Sequence, residues 1–339
     1  MQKQVALITM VSGFLLSLLL PVPLAYADDN RLSIMWWNVE NLFDTDDDPV
    51  TEDSDFTPGG KKRWTKKKLL LKCMRLSHII KVVQHQKGSY PDILVLCEVE
   101  NQQVFNRLLS FLPKNRYKTA YHDSDDPRGI DIALAYDSTS VALDSTFSRK
   151  IDLKGKNTRD ITLYSFSANS NPFFLLVNHW PSRALDTAWS EPKRLLAAEA
   201  ARSIIDSLMS TSTHADIVVM GDFNDEPHDR SIREILGATT DKKAFMENPE
   251  KKLLNCWGEL DEKGSCHFGG RWLKFDQVMV SSGLFDEKGL SLSENAFSCF
   301  HIPHMQTGRS ARPNATYKGP KYLGGYSDHF PMLFEAITR

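Results

Sequence analysis

Hydrophobic residues along this chain gather into short runs that stop on polar or acidic residues, and the arrangement recurs from one end to the other. Ile217-Val218-Val219-Met220 leads into Gly221-Asp222-Phe223-Asn224, Ile93-Leu94-Val95-Leu96-Cys97 into Glu98, and Ile34-Met35-Trp36-Trp37 into Asn38-Val39-Glu40. Phe173 to Val177 runs into Asn178-His179, and Ser327-Asp328-His329 stands just before Met332-Leu333-Phe334. Unbroken runs of branched and aromatic side chains fit strands buried on both faces. The pattern predicts strands near 32–38, 92–98, 130–136, 161–167, 173–179, 216–222, 275–281 and 332–337.

Three other stretches, near 66–86, 103–112 and 191–210, read as helices. In the first, Leu69, Cys73, Leu76, Ile80 and Val83 recur at three- and four-residue intervals, which makes one apolar stripe. After Pro192, residues Leu195, Ala198, Ala201, Ile205 and Leu208 repeat the spacing, so that helix covers a sheet. So many apolar strands exclude a helical bundle, and the fold class is α/β. No internal linker divides the chain.

A single carboxylate at a strand end is usually a turn residue bonded to its own backbone. A set of strands that all deliver carboxylates, amides and imidazoles at one end is a pocket. Asp222 and Asn224 are two apart and project to the same side in extended chain. The first can accept a proton or orient water, and the second can donate to an oxyanion. Gly221 allows a close backbone approach where the strand ends.

Taken in order, Trp-Asn-Val-Glu at 37–40, Glu98, Arg-Gly-Ile-Asp at 128–131, Asn-His at 178–179, Gly-Asp-Phe-Asn at 221–224, Asp276 and Ser-Asp-His at 327–329 form one series. That series resembles the endonuclease/exonuclease/phosphatase superfamily, which includes pancreatic-type deoxyribonuclease, bacterial sphingomyelinases and inositol polyphosphate phosphatases. The resemblance runs from about residue 31 to 338, and Asn-His-Trp-Pro-Ser is most similar to the secreted bacterial nuclease-like branch. It implies an α/β (α+β) fold: a four-layer α/β/β/α sandwich of two mixed sheets with outer helices and one site at an end.

The resemblance also implies roles. Glu98, Glu40, Asn38 and Asp328 form the metal side, and their oxygen ligands suit Mg²⁺, Mn²⁺ or Ca²⁺. Glu40 stands where the family often carries Asp. Asp222 would activate water, Asn224 would donate to a phosphate oxygen, and Asp276 would orient His329. His179 is the second histidine beside the phosphate, and either it or His329 protonates the leaving group. Arg128 and Asn178 are the substrate-binding candidates, with a guanidinium suited to gripping two oxygens; a salt bridge from Arg128 to Asp131 or a neighbouring acid is the structural alternative.

Composition adds a compartment. Residues 1–27 hold Lys3 as their only charge, then a leucine-rich run, Pro21, Pro23 and Ala25-Tyr26-Ala27. This pattern is a secretory signal with cleavage expected after Ala27, which leaves residues 28–339 as a single catalytic domain, periplasmic or secreted, without a membrane anchor and monomeric. The mature chain has 40 basic against 43 acidic residues, a net charge of −3, so a nucleic-acid substrate depends on local fields. The run Lys61 to Lys68 is one such field, balanced by acids between Asp44 and Asp55, and the loop from Phe300 to Tyr326 is a candidate substrate loop. Among five cysteines, Cys73 and Cys97 read as reduced core residues and Cys256 and Cys266 as a candidate bridge.

The activity expected is hydrolysis of phosphodiesters, DNA or RNA first. A phospholipid or sugar- or inositol-phosphate esterase is the enzymatic alternative, and a non-catalytic binding module on the same fold is the third reading.

Overall fold

The computed structural model describes residues 30–183 and 187–339, so the leader expected at 1–27 lies outside the described residues. Strand β1 (Arg31–Leu42) is followed by helix α1 (Lys66–Lys87), β2 (Ile93–Val99), α2 (Gln102–Leu109), β3 (Lys118–Tyr121), β4 (Asp131–Tyr136) and β5 (Ala142–Arg149). Then come β6 (Ile161–Ala168), β7 (Asn171–His179), α3 (Thr187–Thr211), β8 (Ile217–Asp222), β9 (Ala238–Thr239), α4 (Lys242–Met246) and β10 (Leu253–Asn255). The rest comprises the hairpin β11 (Cys266–Phe268) and β12 (Arg271–Leu273), β13 (Asp276–Val280), β14 (Leu290–Cys299) and β19 (Met332–Thr338). Between the last two lie the short hairpins β15 (Gln306–Thr307) with β16 (Arg312–Pro313), and β17 (Tyr317–Lys318) with β18 (Lys321–Tyr322).

Two mixed sheets result, one ordered β14-β19-β1-β2-β4-β3 and the other β5-β6-β7-β8-β13-β10-β9. They pack face to face. Trp36, Val218, Met220, Val278 and Val280 share one core between the sheets, whereas Ile217, Val219 and Met279 face outward onto Ala197, Ala201 and Ile205 of α3. Alternate residues of β8 are therefore buried on opposite faces, which is why its sequence reads as continuously apolar. Leu69, Cys73, Leu76 and Ile80 bring α1 onto the other sheet and complete the four layers.

All eight strands and three helices read from the sequence are present, with ends shifted by a few residues. Helix α3 begins at Thr187, four residues before the expected start, and carries Pro192 inside it. Strands β5 and β14 were not foreseen. Both carry polar residues at many positions, and each is an edge strand. The bridge considered between Cys256 and Cys266 is absent: both thiols are free and buried.

Candidate active site

Strand register sets the site. In the parallel pair of β7 and β8, His179 lies opposite Asp222; in the antiparallel pair of β8 and β13, Asp222 lies opposite Asp276. Three neighbouring strands thus end level. From the other sheet, Asn38 on β1 and Glu98 on β2 reach the same end, and Asn38 Nδ2 donates to both Glu98 Oε1 at 3.3 Å and Asp222 Oδ2 at 3.0 Å. One carboxamide links the two sheets across their mouth.

Local backbone geometry aims these side chains. Glu40, Glu98 and Asn224 have φ of 54°, 63° and 51°, left-handed values that turn each chain sharply. At Gly221 a Cβ would fall 2.1 Å from the Asn178 carbonyl oxygen, so glycine is required there by contact alone.

Asp276, fully buried on β13, accepts from Trp36 Nε1 at 2.8 Å and from the Ser265 hydroxyl. Its Oδ2 also lies 2.6 Å from His329 Nδ1. That bond leaves His329 Nε2 facing the pocket, 4.0 Å from Asp222 Oδ2 and 4.0 Å from Asp328 Oδ1. Burial by itself lowers the basicity of this imidazole. The charge and hydrogen bond of Asp276, with Asp328 and Asp222, overcome that and raise its pKa well above the ordinary histidine value. Asp222 is pushed up to about 6, chiefly by burial, with His329 opposing and Asp276 adding to the rise. His179 behaves in the opposite way: burial, then the charges of Arg159, Arg128 and His329, hold its pKa well below the usual value. The pocket therefore holds one charged and one neutral histidine.

On the metal side, Glu98 Oε1 lies 3.8 Å from His179 Nε2, and Glu98 Oε2 accepts the Asn41 amide at 2.9 Å. Asp328 is 54% exposed and lies within the field of Glu98. Glu98, Asp328 and the Asn38 carboxamide offer hard oxygen donors, which fit an oxygen-seeking divalent ion. Asp222, Asp276 and His329 also offer donor atoms within 4.8 Å of one another. Two of those three are already bonded to each other, so that trio is arranged for proton handling.

Glu40 is placed differently from its neighbours. Its carboxylate accepts the amides of Thr316 at 2.5 Å and Tyr317 at 2.9 Å, which ties the loop before Ser327 to β1. Burial and Asp328 push it up to about 7, against Lys72 and the two amides. Lys72, fully buried on α1, donates to the Thr316 hydroxyl and to the Tyr326 carbonyl at 2.7 Å. No motif marks this lysine, which sits inside an apolar stripe.

Asn178 spends its carboxamide internally, donating to Leu176 and Met220 carbonyls and accepting from Trp180 Nε1 at 3.0 Å. Asn224 Nδ2 donates to the Trp180 carbonyl at 3.0 Å, which fixes its side chain beside Asp222. Arg128 pairs at 3.5 Å with Asp126 rather than Asp131, and Asp126 also holds Arg159 at 3.0 Å. Arg159 and Arg183 belong to no motif recognised in the sequence. Arg159 donates to the Trp180 carbonyl at 2.7 Å; Arg183 donates to the Asn224 carbonyl at 2.7 Å and pairs with Asp225 at 2.8 Å. Arg183 fastens the loop after His179 to the Asp222 turn, and Arg159 fastens it to the loop that carries Asp126.

A profile of the Endonuclease/Exonuclease/phosphatase family matches residues 33–338. The chain belongs to that family. Solved structures agree on the fold. Truncated TDP2 of Caenorhabditis elegans is 17% identical with a TM-score of 0.57, covering 91% of this chain and 98% of that one. The human Nocturnin catalytic domain with bound sulfate is 14% identical, TM-score 0.54, covering 91% and 95%. A mannosyl-6-phosphatase of Bacteroides thetaiotaomicron is 14% identical, TM-score 0.56, covering 90% and 99%. No curated protein matches this chain. Members of the family are hydrolases of phosphoester bonds, and no helix among the described residues is long and apolar enough to cross a membrane.

Proposed function

We propose that this family member is an exported phosphodiesterase that cleaves DNA or RNA internally with the help of Mg²⁺, Mn²⁺ or Ca²⁺. The observation that carries the reading is the pairing, 4.0 Å apart, of a histidine held charged, His329, with a carboxylate, Asp222, held near the point of proton exchange. Asp222 accepts the proton of the attacking water. Its two oxygens are already oriented by the Asn224 amide at 2.9 Å and Asn38 Nδ2, so the remaining lone pairs point in fixed directions. His329, kept in its tautomer by Asp276, donates from Nε2 to the phosphoryl group as charge grows on it. His179, uncharged, lines the same pocket without adding repulsion. A bound cation, held by Glu98, Asp328 and Asn38, would neutralise a phosphate oxygen and stabilise the leaving oxygen.

Nucleic acid is favoured over a smaller ester by the rim beside Glu40. Lys62 Nζ lies 4.9 Å from the Tyr317 ring and Lys68 Nζ 4.5 Å from the Tyr322 ring, a mixture of cations and aromatics suited to a polyanion carrying bases. The deciding experiment incubates mature protein with plasmid DNA, RNA, sphingomyelin and phosphate monoesters, each with and without chelator. Nicking of plasmid or RNA that chelator abolishes is expected. Turnover of sphingomyelin or monoesters alone would replace the substrate class, and no turnover of any would leave a binding module. Export is tested by the mature N-terminus, expected near Asp28.

A further inference from the structure

A cleft of about 420 Å³ adjoins the site, lined by Glu226, His228, Arg233, Thr239, Trp257 and Lys274 among others. Part of its wall comes from the segments that flank two of the catalytic strands. Glu226 follows Asn224 by two residues, and Lys274 precedes Asp276 by two. Trp257 Nε1 donates to the Asp276 carbonyl at 2.8 Å, and Gln277 Nε2 donates to the Asp225 carbonyl at 2.6 Å. The cleft floor and the catalytic strands are therefore one rigid unit.

Its basic side chains differ in how they are engaged. Arg233 pairs with Glu234 at 2.7 Å, and His228 lies 3.9 Å from Asp229. Lys274 is half-buried, has no carboxylate partner among the described residues, and holds its ammonium 4.8 Å from the centre of the Trp257 ring. An indole face attracts the ammonium and fixes its position without consuming its N–H donors. A lysine placed in this way is a compact point charge ready for an anion. Glu226 is the acid of the lining, and Lys274 and Arg233 outnumber it.

We infer that this cleft is a subsite for a second phosphate of the same substrate, the one adjoining the scissile phosphate in a polynucleotide strand, with Lys274 as its main contact. The inference rests on the phosphodiesterase reading above and narrows it. A phosphocholine headgroup or an isolated diester has one phosphate and leaves the cleft unused. A nucleic-acid strand must place its next phosphate beside the reacting one, and here the fold supplies a positioned cation. Lys274 touches substrate and not the reacting atoms, so its effect falls on binding.

The test compares wild type with Lys274→Glu and Lys274→Arg on a short oligonucleotide and on bis(p-nitrophenyl) phosphate. For Lys274→Glu the ratio of kcat/KM on oligonucleotide to that on the single diester should fall on the order of 10-fold. The loss should lie in KM, and the salt dependence of oligonucleotide KM should flatten by about one ion. Lys274→Arg should retain most of the wild-type ratio. Thermal melting near the wild-type value establishes that the variants fold. An unchanged ratio in Lys274→Glu, with oligonucleotide still cleaved, overturns the subsite alone. Failure of the wild-type enzyme to cleave either diester overturns the activity and the subsite together.

Discussion

His329 Nδ1 lies 2.6 Å from Asp276 Oδ2, and the same carboxylate is held from behind by Trp36 Nε1 at 2.8 Å. Orientation of the imidazole is thus fixed by the core and not by the loop that carries His329. His329→Ala should lower kcat by on the order of 10²-fold or more. Asp276→Asn should cost less, because the imidazole remains. Since the two act as one unit, the double variant should be little worse than His329→Ala alone. Steady-state kinetics of the four proteins checks this, and losses that multiply would separate the pair.

Glu98 joins the metal side to the rest of the pocket through Asn38. Glu98→Gln removes a charge at nearly constant volume. Titration of Mg²⁺ or Mn²⁺ by calorimetry should show affinity weakened by about 10-fold or more, the scale seen when metal-site partners are altered. Activity should vanish in excess chelator and return with added cation. Full turnover in chelator would exclude a metal from the reaction.

Lys72 sits fully buried beneath the site, facing the charge of Glu40. Lys72→Met should destabilise the protein by about 3 kcal/mol at pH 8, the range for stripping one partner from a buried charged pair. Glu40 already titrates at about 7, and loss of the lysine moves it higher, so at pH 5.5 the carboxyl takes a proton and the penalty shrinks. Urea unfolding at both pH values reads this difference. An equal loss at the two would mean that Lys72 stabilises only through its hydrogen bonds.

Asp216, at the far end of β8 from the site, accepts the Leu290 amide at 2.7 Å and is pushed up to about 7, mainly by burial. Its folded pKa exceeds its unfolded one. Its contribution to stability is therefore complete below about pH 4 and lost as pH rises through 7. Relative to Asp216→Asn, wild type should lose on the order of 1 kcal/mol between pH 4 and 8, after allowance for solvent screening. Melting temperatures across that range test it, and parallel curves would place the proton elsewhere.

The strand ends were legible because burial on both faces forces unbroken apolar runs, and a carboxylate following such a run is conspicuous. Asn38, Glu98, His179 and Asp222 could be named from that signal, His329 from its place before the last run and Asp276 from the family resemblance, and the fold brings all six to one end of the sandwich. What escaped depends on direction. The Glu40 carboxylate turns to the Thr316 and Tyr317 amides because of a left-handed φ that spacing does not encode. Asn178 sits on the right strand but turns its amide inward. Lys72 was hidden because a charge within a helical stripe reads as a solvent position, while its partners, Thr316 and Tyr326, are more than two hundred residues away. Edge strands β5 and β14 lack the double burial that made the central strands visible.

Glu40 and Glu98 are carboxylates held in a backbone region that costs an ordinary L-residue roughly 1 kcal/mol. Glycine would sit there at ease, and it would also remove the acid. At residue 98 local foldability and hydrolysis therefore pull in opposite directions, whereas at residue 40 the side chain also holds the Thr316 and Tyr317 amides and faces buried Lys72, so the fold itself keeps it. In a variant library sorted once for heat tolerance and once for hydrolysis, the two rankings should diverge more sharply at residue 98 than at residue 40.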